Sequence, residues 1–364
     1  MGILRILLAI SVVLAHSSSI FGFSLVGGQI AVQAFYIISG FYMSLILNEK
    51  YIGVNNSYKL FISNRLLRLY PIYWTILLLT ILYSVAISFY SKGNYLGNFE
   101  PYYVNFEKMS FGSFILLLFT NLFLFLQDTI MFLGLDTSTG NLFFTSNFRQ
   151  TTPQLYTFLF IEQAWTVGVE ITFYLIAPFL VKRKPKIIIL LILLSFILRA
   201  VLYFHFGLKN DPWTYRFFPT ELVFFLLGTI SYWIYKKLQT LEVNNTFNKL
   251  IWVAILAFTL GYSFLPMEAK SYLYLITFFI SLPFIFIYTK TSKIDSYIGE
   301  LSYPIYISHN LVKVVITSIK LPMIGGKGLV LTLLTIIFSI VLNELLTKKI
   351  EKIRQKRIIP NPSI

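Results

Sequence analysis

Apolar runs recur along the whole chain, near residues 4–22, 29–48, 70–90, 112–133, 165–181, 186–206, 216–235, 249–265, 271–289, 301–320 and 327–347. Each is close to the ~20 residues a helix needs to cross ~30 Å of hydrocarbon. The breaks between them are too short for an extended soluble domain, and no internal repeat is visible. The pattern predicts an all-α fold, a polytopic helical bundle in a membrane.

Composition strengthens that reading. The 364 residues are 57% hydrophobic and only 12% charged, with a mean hydropathy of +0.74, far too apolar for a soluble surface. Cysteine is absent, which excludes disulfides, thiolate metal sites and a cysteine nucleophile. The formal charge of +15 raises the question of nucleic acid, but basic residues in a membrane protein serve first to set orientation, so lipids and not nucleic acid are the expected surroundings. The N-terminus has the basic residue and apolar run of a signal peptide. AHSSSIFGF, which follows, holds no small-x-small cleavage pattern, so this segment reads as the first span.

Charge then decides which runs cross. With a cytoplasmic N-terminus and 112–133 not crossing, 20 of the 30 basic residues face the cytoplasm and eight face out, leaving Arg199 and Lys313 within spans. If 112–133 crossed, the KRKPK and KKIEKIRQKR clusters would face outward, against the positive-inside rule. About ten spans with both termini cytoplasmic are therefore predicted, with 112–133 re-entrant or packed along the outer face. Residues 91–164 form the one large outer region, 1–347 the membrane domain and 348–364 a basic cytoplasmic tail.

Ionisable groups inside spans are costly by roughly 2.5 kcal/mol or more and mark functional pathways by default. In RILLAISVVLAH, eleven helical steps bring His16 to within roughly 20° of Arg5 and roughly 16 Å further along the axis, so the two share one stripe. By the same rise His16 lies roughly 18 Å above the cytoplasmic boundary, Glu170 roughly 22 Å and Arg199 roughly 20 Å. A histidine beside a carboxylate in a shielded site serves as a general base; the alternative is a polar pair that only fixes helix packing. Glu221 and His309 are further buried candidates, while His205 falls at a span's outer end.

Two more clusters stand out. Arg65 and Arg68 in SNRLLRLYPIYW share a helical face just before a span, and paired guanidinium groups grip phosphate with forked hydrogen bonds. Lipid-headgroup anchoring, with Tyr70, Tyr73 and Trp74 as an aromatic belt, explains them as well. In FYIISGFYM, Ser39 and Gly40 make a small face open to another helix or a narrow ligand.

These segments together resemble the membrane-bound acyltransferase 3 family, whose bacterial members O-acylate surface glycans. The resemblance rests on Arg5 and His16 ten residues apart in between, FYIISGF, NRLLRLYP, WTVGVEITFYLIAPFL, RFFPTELVFFLLG and LSYPIYISHNLV, in that order along nearly the whole chain. Gln33 departs from it, standing where many relatives have an acidic residue. The hydrolase-like domain fused to some relatives is not expected, since the chain runs into KKIEKIRQKRIIPNPSI.

The resemblance implies an enzyme of the bacterial cytoplasmic membrane. It would move an acyl group, acetyl being the one expected, from cytoplasmic acyl-CoA to a hydroxyl of a cell-surface or lipid-linked glycan. Acyl-CoA is then a co-substrate, with no permanently bound cofactor and no metal. His16 and Glu170 are the expected catalytic pair. Arg5, Arg65, Arg68 and Ser39 are expected to hold the donor, and Trp165, Arg199, Arg216 and His309 the acceptor. The rival reading is a transporter or flippase of lipid-linked glycans, which would also carry charge at mid-depth; a membrane glycan polymerase is a third.

Overall fold

The predicted apolar runs fold as helices, and polar or glycine-rich breaks separate them. The structure, a computed structural model, describes residues 1–51, 57–241 and 244–358. In chain order the helices are α1 (Gly2–Ala15), α2 (Gly28–Glu49), α3 (Tyr58–Tyr90), α4 (Glu100–Asn105), α5 (Phe111–Phe123), α6 (Trp165–Leu180), α7 (Pro185–Ala200) and α8 (Phe218–Leu238). They continue as α9 (Asn245–Gly261), α10 (Lys270–Thr289), α11 (Lys293–Glu300), α12 (Ser302–Ser318), α13 (Lys327–Leu342) and α14 (Lys348–Lys356). A π-helical turn, Asn343–Thr347, joins α13 to α14 without a break.

Among the described residues, eight helices are long and apolar enough to cross a membrane. The protein is therefore a multi-pass membrane helical bundle. Helix α5 has only 13 residues, ~20 Å at 1.5 Å per residue, which is shorter than the hydrocarbon core. It stops where Leu124 and Leu126 take left-handed backbone, with φ of 59° and 62°.

The chain divides into two compact units. The first comprises Met1–Ile72, Ile176–Ile192 and Val223–Ile364. In it α1 packs against α2, α11, α12 and α13, and α10 against α2 and α9. Ala9, Val13, Leu301, Ile305, Ile316 and Leu331 form a buried cluster among α1, α12 and α13. In lipid, apolar area alone does not draw helices together, so close backbone approach matters more. A Cβ on Gly40 would lie 1.8 Å from the Phe225 carbonyl oxygen, and one on Gly228 would lie 2.1 Å from that of Ile37. Helices α2 and α8 therefore cross in backbone contact, and Ser44 donates to Thr229 beside the crossing at 3.0 Å.

The basic tail predicted at 348–364 is helical where it is described, and 359–364 lie outside the described residues. Helix α14 docks on the start of α3. Arg354 Nε donates to the Asn64 carbonyl at 2.9 Å, and Arg357 donates to Asn64 Oδ1 and Ser63 Oγ, both at 2.8 Å.

The second unit, Tyr73–Leu175 and Leu193–Leu222, contains the region predicted to lie outside. Beside parts of α3, α6 and α7 it holds α4, α5, short 3-10 turns and one antiparallel hairpin, β1 (Leu133–Leu135) paired with β2 (Leu142–Phe144). Asn121 is its hub, donating to the Phe158 carbonyl at 2.9 Å and accepting from Phe160 N–H at 2.8 Å. The Tyr73 hydroxyl donates to the Asn121 carbonyl at 2.5 Å. Irregular backbone is thereby satisfied by a buried side-chain amide, as a segment without helical hydrogen bonds requires.

Candidate active site

Helix α1 carries Arg5 near its beginning and His16 at its end. The run predicted to span 4–22 stops early, at Ala15, and His16 is the C-cap residue. The serines that follow explain the stop, because Ser hydroxyls offer the backbone local alternatives to the helix. Ser17 Oγ bonds back to the Val13 carbonyl at 3.0 Å, and a tight turn at Phe21 and Gly22, with φ of 49° and 84°, pairs Ile20 with Phe23. His16 consequently sits at the rim of the helix, partly exposed, and not in mid-helix as the hydropathy suggested.

Its neighbour there is another imidazole. The rings of His16 and His309 lie 5.0 Å apart between centroids in an edge-on arrangement at 62°. His309, on α12, is fully buried, and its Nδ1 is 2.6 Å from the Tyr306 carbonyl oxygen. A carbonyl only accepts, so in the neutral ring Nδ1 carries the hydrogen and Nε2 the lone pair. His309 is thus held in one orientation by its own helix, in a T-shaped contact with the half-buried His16.

Arg5 faces the same helix. Its Nη2 donates to Ser302 Oγ at 2.8 Å, and that hydroxyl donates to the Gly299 carbonyl at 2.8 Å. The stripe shared by Arg5 and His16 is therefore the face of α1 turned to α12, contacting Ser302 at one level and His309 two turns further on.

At the Arg5 end lies a cavity of about 420 Å³. Five cations line it, Arg5, Lys50, Arg68, Lys290 and Arg354, against three carboxylates, Asp295, Glu300 and Glu351. Asp295 is already committed: it caps α1, accepting from Gly2 N–H at 2.6 Å, Ile3 N–H at 3.0 Å and the Met1 amine at 2.5 Å. Burial pushes its carboxyl up, but these donors outweigh burial and hold it below the usual carboxylate range. Subtracting Asp295 leaves an excess of positive charge on the cavity wall. Arg65 is buried three residues before Arg68, and both bear electrostatically on Glu351 and Arg354.

Of the residues expected to hold the donor, Arg5 and Arg68 line this cavity while Arg65 and Ser39 are not in its lining; Lys50, Lys290 and Arg354 line it and were not expected as site residues. Their only signal was charge at one end of the spans, which orientation already explained. Ser39 is buried on α2, and the small face at Gly40 beside it receives the backbone of α8.

The other predicted site residues belong to the second unit. Glu170 accepts from the Tyr174 hydroxyl at 2.5 Å, one turn along α6. Trp165 lies under the Arg216 guanidinium, 4.2 Å from ring centroid to Cζ, a cation–π contact. Arg216 is also forked onto Asp211 at 2.5 and 2.9 Å, and Arg149 joins the same carboxylate at 3.1 Å. Arg199 donates to the carbonyls of Thr214 and Thr220 and to Glu221 Oε1 at 2.7, 3.0 and 2.5 Å.

One residue of this unit escaped the sequence reading. Asp128 follows the left-handed corner at Leu124 and Leu126, is 6% exposed, and its Oδ1 would stand 3.1 Å from a Cβ on Gly168. Burial lifts its carboxyl from 3.8 to about 7. It falls within the apolar run 112–133, which the charge distribution had read as non-crossing, so it was not weighed among the ionisable groups inside spans.

No curated protein and no solved structure matches the chain. A family model described as an acyltransferase domain matches residues 1–344 of the 364, and the chain belongs to the acyltransferase 3 family.

Proposed function

We propose that this membrane acyltransferase takes its acyl group from acyl-CoA on the cytoplasmic side and delivers it to a hydroxyl of a cell-surface or lipid-linked glycan. The observation that carries the reading is that one helix, α1, has a cation-lined cavity at its start and a histidine pair at its end, both against α12.

The phosphates of CoA are polyanionic, and the excess of guanidinium and ammonium groups around the cavity suits them through charge-assisted, forked hydrogen bonds. The pantetheine arm is thin and uncharged, so it is the part of the donor suited to the apolar bundle beyond. The thioester is thereby offered to the His16 end of α1.

His16 then acts as general base. Its imidazole takes the proton of the acceptor hydroxyl as the oxygen attacks the thioester carbonyl; the new C–O bond forms, the C–S bond breaks, and the thiolate leaves with that proton. A transient acyl-imidazole is the covalent variant of the same transfer. The C-terminal end of α1 carries the negative end of its dipole, which stabilises imidazolium as it forms. His309 holds the ring of His16 from the side. Glu170 and Trp165 enter this proposal through their motif, as second catalytic group and sugar platform.

The test is direct. Membranes holding the protein should move radioactive acetyl from acetyl-CoA to glycan, and surface glycans from cells with and without the gene should differ by the mass of the acyl group. A protein that moves glycan across the bilayer but neither binds acyl-CoA nor labels glycan would overturn the reading in favour of a transporter.

A further inference from the structure

The matched family region stops at residue 344, yet the cavity wall does not. Thr347, Ile350, Glu351 and Arg354 all line it, and the last three stand on α14. Arg354 is 5% exposed although charged, and it is built in: Nε donates to the Asn64 carbonyl at 2.9 Å while Nη1 pairs with Glu351. Arg65 and Arg68 bear on it as like charges. The guanidinium groups of Arg354, the buried Arg65 and the half-buried Arg68 repel one another, and Glu351 is a carboxylate that senses all three. A cation cluster with fewer carboxylates than cations is the arrangement an incoming polyanion completes.

We propose that helix α14, outside the family-matched region, supplies a donor-binding residue, Arg354, and that Glu351 is a placeholder the donor's phosphate displaces. This rests on the reading of the cavity as the acyl-CoA site and assigns a further residue to it. In the unliganded protein Arg354 is held by Glu351. When a phosphate enters, the fork of Arg354 turns its Nη1 hydrogen bond from the carboxylate to the phosphate oxygen, while its Nε bond to Asn64 keeps the guanidinium in place. Glu351 then swings free. Its cost to the donor is the carboxylate–phosphate repulsion until it does so.

The two residues therefore have opposite signs, which a merely structural role for α14 does not produce. The experiment is calorimetric binding of CoA and of pantetheine, which lacks every phosphate, to the purified full chain in nanodiscs of zwitterionic lipid. Arg354→Gln should weaken CoA binding about 10- to 100-fold, the range expected for losing a charge-assisted hydrogen bond, and leave pantetheine unchanged. Arg354→Lys should recover part of the loss. Glu351→Gln, which keeps the shape of the side chain, should tighten CoA by about 3-fold or more, as removal of a like charge near the phosphates predicts. Repeating the series with anionic lipid in the nanodisc separates donor phosphate from headgroup phosphate: if lipid is the true occupant, CoA affinity falls sharply in anionic discs and pantetheine affinity does not.

Each result decides. If the wild-type protein fails to bind CoA in zwitterionic discs, the reading of the cavity is wrong and this proposal goes with it. If the wild type binds CoA but Arg354→Gln and Glu351→Gln shift CoA and pantetheine alike, or shift both in one direction, α14 is only a prop. If CoA affinity in the wild type collapses in anionic discs, Arg354 serves lipid.

Discussion

In the first unit Arg5, Lys50, Arg68, Lys290 and Arg354 surround a cavity with fewer carboxylates than cations, one of them spent on capping α1. In the second unit the half-buried Arg199 is paired with Glu221, whose side chain is fully buried, and the buried Arg216 with Asp211, while Trp165 covers the Arg216 face. The contrast separates two uses of charge. A matched, hydrogen-bonded pair is self-sufficient, and removing one member strands the other. A cluster with more cations than carboxylates, facing space large enough for a ligand, is stabilised by an anion arriving, so losing one of its cations changes binding more than folding.

Substitutions tell the two uses of charge apart by the measurement each one moves. The strongest concerns chemistry itself: His16→Ala should reduce acyl transfer by about 10²- to 10⁴-fold, the range for a general base, with the variant still inserted and thermally stable. Near-full transfer by that variant would remove His16 from the mechanism. His309→Asn, which keeps a donor toward the Tyr306 carbonyl, should lose less, since it acts only through the placement of His16.

Next comes a folding effect in the second unit. Arg216→Ala leaves the half-buried Asp211 with only Arg149 as an ion-pair partner and uncovers Trp165, which should cost about 1–3 kcal/mol in unfolding measurements. If the melting curve is unchanged and only the requirement for acceptor rises, Arg216 is a ligand residue and the two units do not differ as described. Arg68→Ala in the first unit should do the reverse, raising the acyl-CoA requirement about 10-fold or more, a loss of ~1.5–3 kcal/mol, with little change in melting temperature. A large drop in stability would make Arg68 a structural residue instead.

The smallest effect is a pH dependence. Because burial raises the Asp128 carboxyl to about 7, the folded protein keeps a proton that the unfolded chain releases near 3.8. That contribution to stability is complete below 3.8 and is lost as pH rises through about 7. Asp128→Asn stays neutral, so its melting temperature should exceed that of the wild type at pH 8, and the gap should narrow as pH falls below about 7 and close only near 3.8. Parallel pH curves for the two proteins would show that Asp128 is not the group responsible.

Of the candidate residues, those that act within one helix or one short motif were legible beforehand. Arg5 and His16 share a face because eleven residues is close to three helical turns, and their common contact with α12 is that periodicity made visible. Arg65 and Arg68 were legible for the same reason. What stayed hidden lay in contacts between distant segments: His309 against His16, and Arg354 against Asn64. Their separation along the chain leaves no periodic trace.

By itself the sequence determined that the chain is a multi-pass helical membrane protein, which helix faces are small or charged, and which histidine ends the basic stripe, because helix length, hydropathy and spacing are local properties. Only the tertiary structure decided where α1 stops, which imidazole meets His16, that the small face at Gly40 takes a helix, and that α14 closes the cation-lined cavity. Those outcomes depend on competition among neighbours for the same space and the same hydrogen bonds, which no window along the chain contains.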